Sequence, residues 1–193
     1  MRQPIESSTL LDHLQALAGE HRGTESTPHN RSDGTYSLEL FAHPTLDMIT
    51  IASNGLRHIE KDVPFGEEVV CTLRRSQAGY TRAIMGAICE LILQSRTGLE
   101  YDQILDNDCE LFDTTHKEGL LASTHPYFDE RFNYVAHDSS SPLTNHNVEL
   151  QIVTLVPITR SEIEFAARDT DALYELWTNT RPDLLDVTRP STL

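Results

Sequence analysis

Between Val148 and Glu162 the chain reads as a strand that turns directly into a helix. Val148, Leu150, Ile152, Thr154 and Val156 alternate with Glu149, Gln151, Val153 and Leu155. Alternation of apolar with polar residues marks a half-buried strand, so the first half has one wet face. The second half is apolar on both faces, which predicts that the strand runs into the interior. Pro157 is expected to end it, because proline has no N–H to give the ladder. Thr159 and Glu162 then have the spacing of a capping box, in which the Thr oxygen takes the N–H three residues on and the Glu reaches back. A central strand that feeds a capped helix within three residues constrains everything packed against it. The stretch carries no evident chemistry of its own.

Upstream, Ser8 is placed to cap a first helix in which Leu10, Leu11, Leu14, Leu17 and Ala18 recur at helical spacing, with Gly19 or Gly23 as its stop. Residues 23–35 are a loop by composition. Two strands follow, the first with Tyr36, Leu38, Leu40 and Ala42 on one face, the second from Met48 to Ser53. The short connection through His43-Pro44 predicts an antiparallel hairpin, and Asn54-Gly55 supplies a turn with positive φ. After a connection closing at Pro64-Phe65-Gly66, Glu67 to Arg74 forms a strand with Val69, Cys71 and Leu73 on one face and Val70 and Thr72 on the other. Ser76 to Tyr80 reads as a turn, and a helix from Thr81 to Gln94 carries the stripe Ile84, Ala87, Ile88, Leu91 and Ile92, with Gly98 as its stop.

Downstream, Gly119 to Thr124 and Phe132 to His137 are short strands, separated from the central strand by a loop over 138–147. A helix from Thr159 to about Arg168 is followed by another from near Thr170, with Ala172, Leu173, Leu176 and Trp177 inward. Leu184-Leu185 in the tail is expected to pair as an edge strand. There is no internal repeat. This order of elements is not a regular βαβ alternation. It predicts an α+β fold, a mixed and largely antiparallel sheet covered by helices on one face. A length of 193 residues suits a single domain, with an N-terminal helix and loop over 1–30 and a core over 36–191.

Charge limits the partners. Thirty acids against fifteen bases give a net charge of −15. Such a surface repels nucleic-acid backbones and anionic membranes, and it speeds encounter with basic proteins. Cys71, Cys89 and Cys109 form no CxxC pair, and Cys71 and Cys89 sit in apolar phase as small core residues. No apolar run resembles a signal peptide or reaches the length of a membrane span, so the cytoplasm is the expected compartment.

Catalytic motifs are missing. The sequence has no GxGxxG, GxxxxGK[ST], GxSxG or HExxH, and no cofactor is expected. Of nine histidines, His116, His125, His137 and His146 are the closest approach to a metal set, a loose cluster in which none is paired at helical ligand spacing. A hydrolase built from this histidine-rich half has only residue types in its favour. Cys109 lies among carboxylates, which oppose formation of a thiolate, so it is a poor nucleophile. Residues 97–115 hold Glu100, Asp102, Asp106, Asp108, Glu110 and Asp113 without a Lys or Arg, and without the spacing of an EF-hand loop. This window is either a solvated face or a docking surface for a basic partner. Asp102, Asp106, Asp108, Glu110 and Asp113 are the candidate partner-binding residues.

Four stretches together resemble the suppressor of fused family: Ile49 to Leu56 with Phe65 to Arg75, the helix from Ala83 to Gln94, Leu150 to Glu164 with Ala172 to Leu176, and Leu184 to Ser191. The resemblance runs from about residue 36 to 191 and covers the globular domain of which bacterial members consist; animal members add a C-terminal region. It implies a binding protein rather than an enzyme. Animal members hold transcription factors. Bacterial members are similar to immunity proteins that neutralise a co-encoded toxin by direct contact, and an acidic immunity protein suits a basic toxin. The alternative it leaves open is a regulatory or scaffold module with a non-toxin partner. Partner-binding residues do not carry over from the family.

Overall fold

A computed structural model describes residues 7–26, 36–59, 66–138, 141, 144 and 146–193, with side chains from Leu10 onward. The elements are α1 (Ser7–Ala18), β1 (Glu20–Ser26), β2 (Ser37–Ala42), β3 (Ile49–Asn54), β4 (Gly66–Leu73), α2 (Ala78–Ser95), β5 (Ile104–Asp106), β6 (Lys117–Ser123), β7 (Tyr134–Ala136), β8 (Val148–Thr159), α3 (Arg160–Ala166) and α4 (Thr170–Thr180). The side chain of Ser8, the connection at Pro64-Phe65 and part of the 138–147 loop lie outside the described residues.

β8 is the centre of one mixed sheet of order β1-β2-β3-β4-β8-β6-β5. β1 to β4 form an antiparallel meander. β4 then runs parallel to β8, with Val69 opposite Val153. The other edge of β8 is shared end to end: β7 pairs with its first residues and β6 with its last, both antiparallel. The burial of β8 follows its sequence. Glu149 and Gln151 are half-exposed, and every residue from Ile152 to Thr159 is buried.

Pro157 does not end the strand. β8 continues to Thr159, and Pro157 sits opposite Leu120 of β6. Past Thr154, β4 no longer pairs with β8, so on that side the described residues form no ladder for Pro157 to interrupt. The Pro157 carbonyl there accepts instead from Arg189 Nη2 at 3.4 Å. Proline is tolerated in a strand where its missing N–H faces an open edge.

Period two along β8 also sorts the helices. Leu150 and Ile152 pack with Leu10, Leu14 and Ala18 of α1. Val156 and Ile158 pack with Ile163 of α3 and Leu173 and Trp177 of α4. Val153 and Leu155, of opposite parity, pack with Ile84, Met85, Ile88 and Ile92 of α2. Helices therefore cover both faces, α2 on one and α1, α3 and α4 on the other, in place of the single covered face expected.

Other boundaries also differ from expectation. α1 stops at Gly19 (φ 109), where a Cβ would meet the Ala42 carbonyl at 2.4 Å. The chain then forms β1, which runs from Glu20 into the expected loop as far as Ser26. Its sequence, Glu-His-Arg-Gly-Thr-Glu-Ser, has no apolar signal, yet it pairs with the whole of β2. α2 starts at Ala78, inside the expected turn, and is closed by Arg96 in the left-handed region (φ 58) rather than by Gly98. Its buried stripe takes Met85, Cys89 and Leu93, while Ala87 and Leu91 are exposed. A short 3-10 turn occupies Glu130–Asn133, leaving only Tyr134–Ala136 as strand. The tail forms turns rather than an edge strand, and Leu185 accepts a hydrogen bond from the Arg74 N–H.

The tail is anchored on the strand-to-helix junction. Thr159 and Glu162 form the expected capping box. Glu162 is fully buried and accepts from both terminal nitrogens of Arg189, at 2.7 and 3.0 Å, and from Thr192 Oγ1 at 2.9 Å. Burial alone would push this carboxyl up, but the hydrogen bonds and charge of Arg189, with the Thr159 N–H and Thr192, bring it down to about 2. The Arg189 carbonyl accepts from buried Lys117 Nζ at 2.6 Å.

Candidate interaction surface

The acidic window of residues 97–115 lies on the α2 face at the β5 edge of the sheet, and backbone bonds fix its course. Leu99 N–H donates to the Glu67 carboxylate, Asp102 N–H to Ala122 O, Asn107 N–H to Glu118 O, and Leu111 N–H to Lys117 O. β5, at its centre, was hidden in sequence because it is three residues long and pairs only with β6. Leu105, Leu111 and Phe112 turn inward against the α2 core, and Phe112 meets Tyr80 with ring centroids 4.7 Å apart. Asp102, Asp108, Thr114 and His116 all have positive φ, at 68, 57, 69 and 52°. These turns let the apolar anchors point in while the acids stay exposed.

The five candidate residues do not behave alike. Asp106 receives Arg160 through both terminal nitrogens, at 2.6 and 2.9 Å, and the Asp108 N–H at 2.9 Å. The Arg160 hydrogen bonds, followed by that N–H, hold its carboxyl below the usual range. Arg160 also reaches Glu118 at 2.8 Å, so it ties the acidic edge to the start of α3. Glu110 pairs with His116 at 2.9 Å, and Asp102 accepts from Tyr174 Oη at 2.7 Å. Asp108 and Asp113 are exposed and have no cationic partner among the described residues. The window is thus one surface, but three of its five acids have local partners. Arg160 lies 54 residues from Asp106, so composition gave no sign of that pairing.

Beside the acids runs an apolar groove of about 510 Å³. One wall is the exposed side of α2, with Ala83, Ala87 and Leu91. The other is formed by Leu105, Asp106, Leu111 and Phe112. Leu91 is 46% exposed. Sequence reasoning counted Ala87 and Leu91 as core, because helical spacing does not tell which flank of a broad stripe meets the sheet.

The histidines have separate environments. His125 is buried, stacks on Phe128 at 4.1 Å, and its Nδ1 accepts from the Tyr127 and Phe128 N–H groups. Its proton therefore sits on Nε2, which donates to Thr72 Oγ1 at 3.0 Å. Burial lowers its pKa to about 3. His137 pairs with Glu149 at 3.2 Å. Among the described residues no group of three or more His, Cys, Asp or Glu is placed to hold a metal ion. No helix among them is long and apolar enough to cross a membrane. Cys71 and Cys89 are buried and Cys109 is exposed, with Asn107 Nδ2 donating to its Sγ at 3.2 Å.

Comparison with known proteins adds the family. The family described as suppressor of fused protein (SUFU) matches residues 35–190. Among solved structures, a SUFU homologue from Neisseria gonorrhoeae FA 1090 is similar over 97% of this chain and 96% of its own, with a TM-score of 0.71 and 16% identity. A chain of the Sufu–Fu complex crystal structure is similar over 91% of this chain and 85% of its own, with a TM-score of 0.65 and 15% identity. At such identities the likeness establishes the shared fold. No curated protein matches.

Proposed function

Starting from the premise that this chain belongs to the suppressor of fused family, we propose that it acts by stoichiometric binding of a protein partner, and that the partner is a co-encoded basic toxin which it neutralises. The observation that carries this reading is the acidic window, held in a fixed course by pairing to β6, with Asp108 and Asp113 exposed, without a cation among the described residues, near an apolar groove. An interface with an apolar centre and a charged rim gains affinity from burial and register from charge. One of the solved structures with this fold is that of the Sufu–Fu complex. The net charge of −15 would steer a cationic partner toward this surface and repel nucleic acid. Inhibition then follows from covering the toxin's active site or substrate path, with no bond made or broken by this protein.

Co-expression with the protein encoded by the adjacent gene tests the proposal. The expected result is a neighbour that is toxic alone, is rescued by this chain, and co-purifies with it as a one-to-one complex. A neighbour that is harmless and does not bind overturns the toxin reading. A harmless neighbour that does bind favours a regulatory or scaffold module.

A further inference from the structure

We propose that the groove between α2 and the β5 segment receives an amphipathic helix of the partner, with an apolar stripe in the groove and Arg or Lys along its flank. This rests on the reading of the chain as a protein-binding module and says what part of the partner it grips.

The groove has the size of a recognition site. Its volume of about 510 Å³ lies within the range of pockets that bury a ligand. Its α2 wall is straight. Ala83, Ala87 and Leu91 are four residues apart, line one side of the helix, and extend along about 12 Å of it at ~1.5 Å per residue. Helices pack with axes about 8–10 Å apart, and alanines at the contact permit the near end of that range. Leu91 at one end and Phe112 across the groove offer apolar surface for side chains at i, i+3, i+4 and i+7 of an incoming helix.

Charge selects the occupant. On the wall opposite α2 Asp106 is held by Arg160, but Asp108 and Asp113, next in sequence to the wall residues Asn107 and Phe112, are exposed and have no cation among the described residues. A second copy of this chain would bring its own −15 and set acidic window against acidic window. An apolar helix with neutral flanks would leave the carboxylates unused. A helix with basic flanks fills the groove and pairs the acids together, which neither feature alone requires.

The probe is a labelled peptide of about 18 residues, long enough to populate a helix, made of Leu and Lys with the leucines on one helical face. The control has the same composition in shuffled order. Anisotropy titrations of the full chain should show the amphipathic peptide binding at least about tenfold more tightly than the shuffled one. Ala87→Arg, at an exposed position, should erase that preference without changing thermal unfolding, and Leu91→Gln should reduce it. Equal affinity for the two peptides, no binding of either, or a preference that survives both substitutions overturns the proposal. Failure here alongside an intact complex with the neighbouring gene product would remove the helix and leave the protein-binding reading. A harmless, non-binding neighbour would remove the toxin and leave the peptide result standing.

Discussion

Replacing Arg189 by Met isolates the anchoring of the tail on the central junction. In the wild type Arg189 and Glu162 are both buried, and their two-fold contact is reinforced by Thr192 and the Thr159 N–H. The Glu162 carboxyl falls from its ordinary 4.5 to about 2, the favourable contacts outweighing burial. That difference corresponds to about 3 kcal/mol of folding stability. Because the folded value is the lower one, the contribution is complete above about pH 4.5 and is lost as pH falls toward 2. Arg189→Met keeps the bulk near Trp177 but leaves a carboxylate buried without its counter-ion, which costs about 3–5 kcal/mol at pH 7. Burial then dominates and pushes the carboxyl up, so the variant's deficit relative to the wild type should shrink as pH drops from 7 to 4. Urea unfolding of both proteins at pH 7 and pH 4 measures the cost and the slope. Adding Glu162→Gln removes the stranded charge and keeps a residue suited to the capping box, so the double variant should recover most of the loss. A loss below about 1 kcal/mol for Arg189→Met, with the wild-type pH slope intact, would show that the pair does not hold the tail.

Ile152→Ala removes a fully buried side chain between α1 and β8 and should cost about 2–5 kcal/mol in urea unfolding; a loss under about 1 kcal/mol would mean that the α1 face is not packed as described. Buried His125 has a folded pKa of about 3 against an ordinary 6.5, so the unfolded chain takes up the proton first, and stability should be complete above pH 6.5 and fall steadily below it. His125→Asn should flatten the acid limb of the stability profile between pH 6.5 and 4, and an unchanged limb would refute the neutral-histidine account. Gly19→Ala combines a φ of 109 with a contact at 2.4 Å to the Ala42 carbonyl, and should lower the melting temperature clearly; an unchanged melt would contradict the close approach of α1's end to β2.

What was legible in the sequence was local. The alternation of β8 and the Thr159–Glu162 box lie within a few residues of each other, and both appear as read. The β2–β3 hairpin and the two faces of β4 were legible for the same reason. What escaped depends on distant partners. β1 is polar along its whole length and owes its conformation to β2. Pro157 stays in the strand because the pairing of β4 with β8 ends at Thr154, before it, a fact of topology. The acidic window was visible as composition, but not its division into acids held by Arg160, His116 and Tyr174 and acids with no cation among the described residues. Nor was the groove visible, since it exists only where the outer side of α2 meets β5.

The most direct measurement is the affinity of the complex with the neighbouring gene product, for the wild type and for a variant combining Asp108→Asn, Glu110→Gln and Asp113→Asn, at low and high salt. Binding through the acidic window predicts a complex that weakens as salt rises, and a variant that binds at least about tenfold more weakly with a shallower salt response. A complex whose affinity is the same in both proteins and at both salt concentrations would contradict the account.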